Sequence, residues 1–273
     1  MFSRHAKPST GEDEPLGLAA FFRQSFAIVD VELRKVGRDP TEIFSRAAQP
    51  ILWLVVFGQV FERIHAIPTG RLSYTAFLAP GILAQSILFS AIFFGIAVIW
   101  ERDLGIVHKL LVSPAYRTAL VLGKAAAAGV RGIGQAVLIY ALVFVMRIEL
   151  RFGATALCGV LAAVMAGSAI FATFSLFVAC VVKTRERFLG IGQLLTMPLF
   201  FASNAIYPLA IMPGWLRLVS KLNPLTYLVD VLRGLMIQGG QSVHGVWTDF
   251  GVLGLVFIVL LVATAKIYPS IIR

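Results

Sequence analysis

Charge is the scarcest resource in this sequence. Only 14% of its 273 residues are charged, where soluble domains carry roughly 25%, and the mean hydropathy is +0.85. So few charges cannot furnish the solvated exterior of an ordinary soluble domain. Cysteine is almost missing. Cys158 and Cys180 both fall in apolar runs, which excludes a disulfide framework and argues against a thiolate metal site. The four histidines, His5, His65, His108 and His244, are widely scattered. No GxxxxGK[ST], HExxH or GxSxG occurs, so neither a phosphate cradle nor a hydrolytic site is built by those routes. No catalytic, cofactor-binding or metal residue is assigned, and energy for any transport must come from another chain. The opening residues are polar, with Glu12, Asp13 and Glu14 together, unlike a cleaved signal peptide. Residues 1–17 are expected to be a disordered cytoplasmic tail, and 18–273 a single membrane domain.

Long uncharged runs fill the rest of the chain, at 72–100, 152–182, 188–216 and 250–265. A helix needs about 20 apolar residues to cross the hydrocarbon core. Lipid offers backbone groups no partner, and the runs lack the short alternation of barrel strands, so the spans are helices. The expected class is all-α: a polytopic membrane protein with six transmembrane helices. The spans are placed at about 44–61, 74–100, 118–146, within 152–182, 188–206 and 247–265. Between 18 and 36, Phe22, Phe26, Val29, Leu33 and Val36 recur every three or four residues among charged neighbours, which predicts an amphipathic interfacial helix. After the fifth span, Pro208 and Pro213-Gly214 predict a bent or re-entrant outer segment reaching about residue 235.

The net charge of +10 suits topology better than nucleic acid, because the basic residues divide between loops. Six spans place sixteen of them on the side of both termini and seven on the other, leaving Arg131 inside a span as a candidate path-lining residue. The positive-inside rule then puts both termini in the cytoplasm. Two segments stand out. IWERDLGIVHKLLVSP at 99–114 places Leu104, Val107, Leu110 and Leu111 along one edge of a short helix, beside Arg102, Asp103 and Lys109, and Pro114 stops it. It reads equally as an interfacial turn or a docking element. PLFFASNAIYPLAIMPGWLRLVSKLNPLTYLVDVLR at 198–233 carries interfacial aromatics and reads as a structured outer loop or as a gate involving Tyr207, Pro208, Trp215, Asn223 and Pro224.

These segments, together with FLAPGILAQSILFS at 77–90 and LGK at 122–124, resemble the membrane subunits of type 2 ABC exporters, the ABC-2 permease family. The likeness extends over nearly all of the chain after residue 16, and within the family the chain resembles the drug-resistance and antibiotic-export branch typified by the daunorubicin exporter. The resemblance implies that 101–114 is a coupling helix for a separate cytoplasmic ATPase. Glu101, Arg102, Gly105, Leu110 and Pro114 would then be contact or shape-determining residues. It further implies two ATPase subunits that bind ATP and Mg2+, a second copy of this permease or a close homologue, surrounding membrane lipids, and an amphipathic drug-like or lipid-like substrate, in a bacterial-type cytoplasmic membrane. Polysaccharide or other lipid-linked cargo fits the same architecture. A secondary transporter is the rival class, and would need an ion-coupling carboxylate within the bundle; a purely structural membrane protein is the third reading.

Overall fold

A computed structural model describes residues 30, 34, 48–65, 67–70, 72–105, 117–182 and 184–268. Helix α1 covers 48–64 and widens into a π turn at Trp53–Gly58 before Gln59–Ile64. The others are α2 (Tyr74–Asp103), α3 (Arg117–Val145), α4 (Ala154–Val181), α5 (Arg185–Phe201), α6 (Gly214–Leu222), α7 (Pro224–Met236) and α8 (Val246–Ile267). Among the described residues there is no strand, only an isolated antiparallel bridge between Leu150 and Ile237. Of the expected interfacial helix, Asp30 and Arg34 are described. Both are helical and pair at 2.9 Å, four residues apart.

Among the described residues, four helices are long and apolar enough to cross a bilayer: α2, residues 120–145 of α3, α4 and α8. The other two expected spans fall on α1 and α5. With 17 residues, α5 reaches about 25 Å at 1.5 Å per residue, short of the roughly 30 Å hydrocarbon core. Its end is a correction to the expected 188–206: the helix stops at Phe201. The Ser203 hydroxyl donates to the Phe200 carbonyl at 2.7 Å and accepts the Ala205 amide at 3.2 Å, so side-chain bonds compete with the next helical turn.

The centre of the bundle is α2 against α4. In their most apolar windows 73% and 61% of residues are buried, against 11% in α8, which leaves Leu255, Ile258, Val259 and Val262 exposed along a peripheral face. Lipid solvates such side chains as well as protein does, so close association of membrane helices depends on small residues and polar contacts. Gly81 shows this. A Cβ there would lie 2.5 Å from the Ala205 carbonyl oxygen, so only glycine lets the chain after α5 lie on α2. The start of α2 is fixed by its own residues: the Ser73 hydroxyl accepts the Ala76 amide, and Glu62 of α1 accepts the Thr75 amide at 3.2 Å. Both interactions put oxygen against the positive end of the helix.

The segment after α5 bends as expected, and it contains two helices. After a turn at Leu209–Ile211, α6 lays an exposed apolar stripe of Trp215, Leu218, Val219 and Leu222 along one face. Asn223 then caps α7 through the Leu225 amide at 3.0 Å, and Pro224 occupies its first turn. At 13 residues, about 20 Å, α7 is too short to cross, yet most of it is buried. Its C-terminal end pairs with the loop between α3 and α4, where the Arg151 amide donates to Met236 and the Gln238 amide to Glu149, each at 3.0 Å.

Candidate functional site

At 30 residues, α2 is about 45 Å long, and its surplus over a bilayer core falls in a charged last turn. That turn is tied to three neighbouring helices. The Glu101 carboxylate pairs with Lys124 of α3 at 2.6 Å, with side chains only 12% and 5% exposed. Asp103 pairs with Arg185 at the start of α5 at 3.0 Å and with Arg102 at 3.1 Å. Arg102 also donates to the Val182 carbonyl at the end of α4, and Arg185 lies over the Trp100 ring at 4.7 Å. Two acids at a helix C-terminus oppose the macrodipole, and these cations compensate for them. Gly105 then turns the chain at φ +73°, its amide donating to the Arg102 carbonyl, a left-handed position that favours glycine. Leu104, first of the expected apolar edge, is 72% exposed. Leu110 and Pro114 lie outside the described residues.

This arrangement suits force transmission. The turn that leads into the 104–114 segment is bonded to α3, α4 and α5 at one end of the bundle, so displacing it pulls on three helices.

Arg131 lies mid-way along α3, half-buried beside Ile87 and Ser90 of α2 and Ser168 of α4, around a small crevice. Its surroundings are therefore other helices as well as the bundle surface. The residues expected at an outer gate separate into two groups. Asn223 is 4% exposed, and besides capping α7 it donates to the Leu199 carbonyl of α5 at 2.6 Å; with Pro224 it forms the hinge between α6 and α7. Tyr207 and Pro208 lie on the bend, where the Tyr207 hydroxyl donates to the Phe201 carbonyl and burial raises the pKa of its phenol. Trp215 is 70% exposed. Arg217 braces the bend by donating to the carbonyls of Leu209, Ala210 and Met212. An open cleft of about 620 Å³ lies beside this bend, lined by Leu72, Phe77, Asn204, Pro208, Arg233 and Gln241 among others.

Sequence reasoning missed the polar interior at this end. Arg233, which the charge count assigned to an outer loop, is 5% exposed. It donates to the Asn204 carbonyl at 2.8 Å and lies 3.8 Å from the centre of the Phe77 ring. Asp230 and Asp249 are fully buried with His244 beside them. Only the i, i+3 spacing of Asp230 and Arg233 hinted at any of this.

The chain is similar to several transport proteins. It is 29% identical to the transport permease ycf38 of Cyanophora paradoxa over 79% of this chain and 74% of that one. To nodulation protein J of Rhizobium leguminosarum bv. viciae it is 25% identical, over 85% and 88% of the two chains. To a daunorubicin resistance ABC transporter permease protein of Streptomyces coeruleorubidus it is 24% identical, over 78% and 73%. Residues 23–237 match the ABC-2 type transporter family. A multi-pass helical bundle with a charged, tethered turn at the end of its second helix is the setting of that match, and the chain belongs to the ABC-2 type transporters as a transport permease.

Proposed function

We propose that this permease exports an amphipathic, drug-like or lipid-like molecule, driven by ATP hydrolysed in a separate cytoplasmic ATPase subunit. Two such permeases, identical or closely related, assemble with two ATPase subunits, which bind the ATP and Mg2+. With six spans, both termini and the 101–114 segment lie in the cytoplasm, and the α6–α7 pair lies at the outer surface of a bacterial-type cytoplasmic membrane. The observation that carries the reading is the last turn of α2, bonded to α3 through Glu101–Lys124 and to α5 through Asp103–Arg185. Closure of the ATPases displaces the coupling segment, the tethered turn passes that displacement to the helices, and the opening between the two permeases changes. The amphipathic class of cargo draws support from the daunorubicin resistance relative and from the absence of charge along most of the spans. An ion-coupled mechanism is less well supported, since the buried acids Asp230 and Asp249 lie at the end of the bundle remote from the tethered turn.

Leu110→Asp tests this. It sets a charge on the expected ATPase contact without touching a long span. The variant should insert normally and bind cargo, but lose ATPase co-purification or cargo-stimulated hydrolysis. Normal association and stimulation would remove the docking role from this edge, and loss of cargo binding with coupling intact would make the segment a substrate loop.

A further inference from the structure

Three donors from three elements converge where α7 meets α8. Asp230 comes from the middle of α7, His244 from the connecting loop, and Asp249 from the first turn of α8. One ligating atom from each lies within 4.8 Å of the other two. We propose that these residues bind a divalent transition metal of the zinc class on the outer side of the protein, tying α7 to the last span.

The electrostatics call for a cation at this point. Both carboxylates are fully buried, and two like charges this close in a dry interior need either a positive charge or a shared proton between them. Arg233 lies one turn along α7, but its guanidinium is directed at the Phe77 and Asn204 carbonyls and the Phe77 ring. The space between the two acids is left to His244, whose Nδ1 is 3.1 Å from Asp230 Oδ2 and 3.9 Å from Asp249 Oδ1. A lone pair on that nitrogen would face carboxylate lone pairs, so either a proton or a metal ion must lie between them.

An independent observation favours the metal. Asp249 Oδ2 accepts the Ser242 hydroxyl at 2.8 Å, whereas Asp249 Oδ1 is buried without a hydrogen-bond partner and faces the imidazole. Buried polar atoms are rarely left so, and a metal ligand bond would satisfy it. Zinc–nitrogen and zinc–oxygen bonds of about 2.0–2.2 Å imply donor separations of roughly 3.0–3.6 Å. The 3.1 Å pair already meets this, the 3.9 Å pair needs a shift of a few tenths of an ångström, and the two carboxylates, within 4.8 Å of each other, must close on the ion. The supporting bonds are also in place: Asp230 Oδ2 accepts the Val243 and His244 amides at 2.8 and 3.0 Å, and this holds the loop so that the imidazole faces the acids, as supporting bonds do for metal ligands. His244 is 23% exposed, giving the ion an entry route, and water completes the coordination. Two oxygens and one imidazole, with no thiolate, suit Zn2+ or Mn2+ rather than Cu+.

The test uses the full-length purified chain, stripped with chelator and titrated with Zn2+ by calorimetry and with Co2+ by visible absorption. One ion should bind per chain, and Zn2+ should raise the melting temperature. His244→Gln and the near-isosteric Asp249→Asn should each weaken binding about 100-fold and abolish the thermal shift, while His65→Gln, on the exposed turn after α1, changes neither. Failure of the wild-type chain to bind stoichiometrically would overturn the proposal. So would equal binding by His244→Gln, a substitution at a partly exposed position that leaves both acids in place.

Discussion

The Glu101–Lys124 pair makes a quantitative demand on the fold. At 2.6 Å the Coulomb attraction is about 6 kcal/mol at an effective dielectric near 20, set against the cost of desolvating both groups. Removing one partner forfeits that attraction and leaves the other ion without its nearest counter-charge in a largely buried site, which typically costs about 3–5 kcal/mol. Glu101 keeps 12% of its side chain exposed, so the lower figure is expected: about 3 kcal/mol for Lys124→Met and for Glu101→Leu. An apolar pair in place of an ion pair is often no worse than a broken pair. The double variant should therefore be no less stable than either single one, a coupling of about 3 kcal/mol, or roughly 150-fold in the unfolding equilibrium. Denaturant unfolding in mixed micelles measures all three variants. Additive losses, with the double variant near 6 kcal/mol, would show that the two residues do not interact and that α2 is not tethered to α3 through them. The double variant should also couple poorly to the ATPase, because the polar tether at the turn is gone.

The Asp103–Arg185 pair is about 40% exposed, so Arg185→Ala should cost less than about 1 kcal/mol of stability yet reduce cargo-stimulated ATP hydrolysis; unchanged stimulation would confine transmission to α3. Gly81→Val places a side chain against the Ala205 backbone and should destabilise by about 1–3 kcal/mol or more, read as a lower melting temperature in detergent; a wild-type value would mean that α2 and the chain after α5 do not approach closely. Cysteines at the exposed Gly70 and Gln241 should react with an impermeant thiol reagent in intact cells, while Gly11→Cys should be protected. The reverse pattern would invert the topology.

Hydropathy made the long helices legible because lipid selects strongly on a local property: an uncharged run of sufficient length. The cores of α2, α4 and α8 fall where those runs lie, and the prolines after residue 198 announced the bend. The end of α5 was misplaced because Ser203 and Asn204 are apolar enough in company to extend a hydropathy run, while their hydrogen bonds end the helix. The π turn in α1 left no compositional trace. Its aromatic residues, with Trp53 stacked on Phe57 at 4.5 Å, look like an ordinary apolar face. Tertiary polar pairs were the least legible. Glu101 and Lys124 are 23 residues apart, and Asp230 and His244 are 14 apart across a helix end, with no periodicity to relate them. Arg233 reads as a loop charge until the burial of α7 is known. Of the 101–114 segment, the charged start was legible in the sequence, and the structure added the bonds that connect it to the bundle.

In the proposed cycle, ATP hydrolysed in a separate subunit drives cargo through this chain by way of the α2 turn. Inverted membrane vesicles containing the permease and its ATPase subunit, supplied with a fluorescent amphipathic cargo, test it most directly. Accumulation should require hydrolysable ATP, persist when ion gradients are collapsed, and fall to background with Leu110→Asp in spite of normal membrane insertion. Accumulation that follows an imposed ion gradient without ATP would contradict the account.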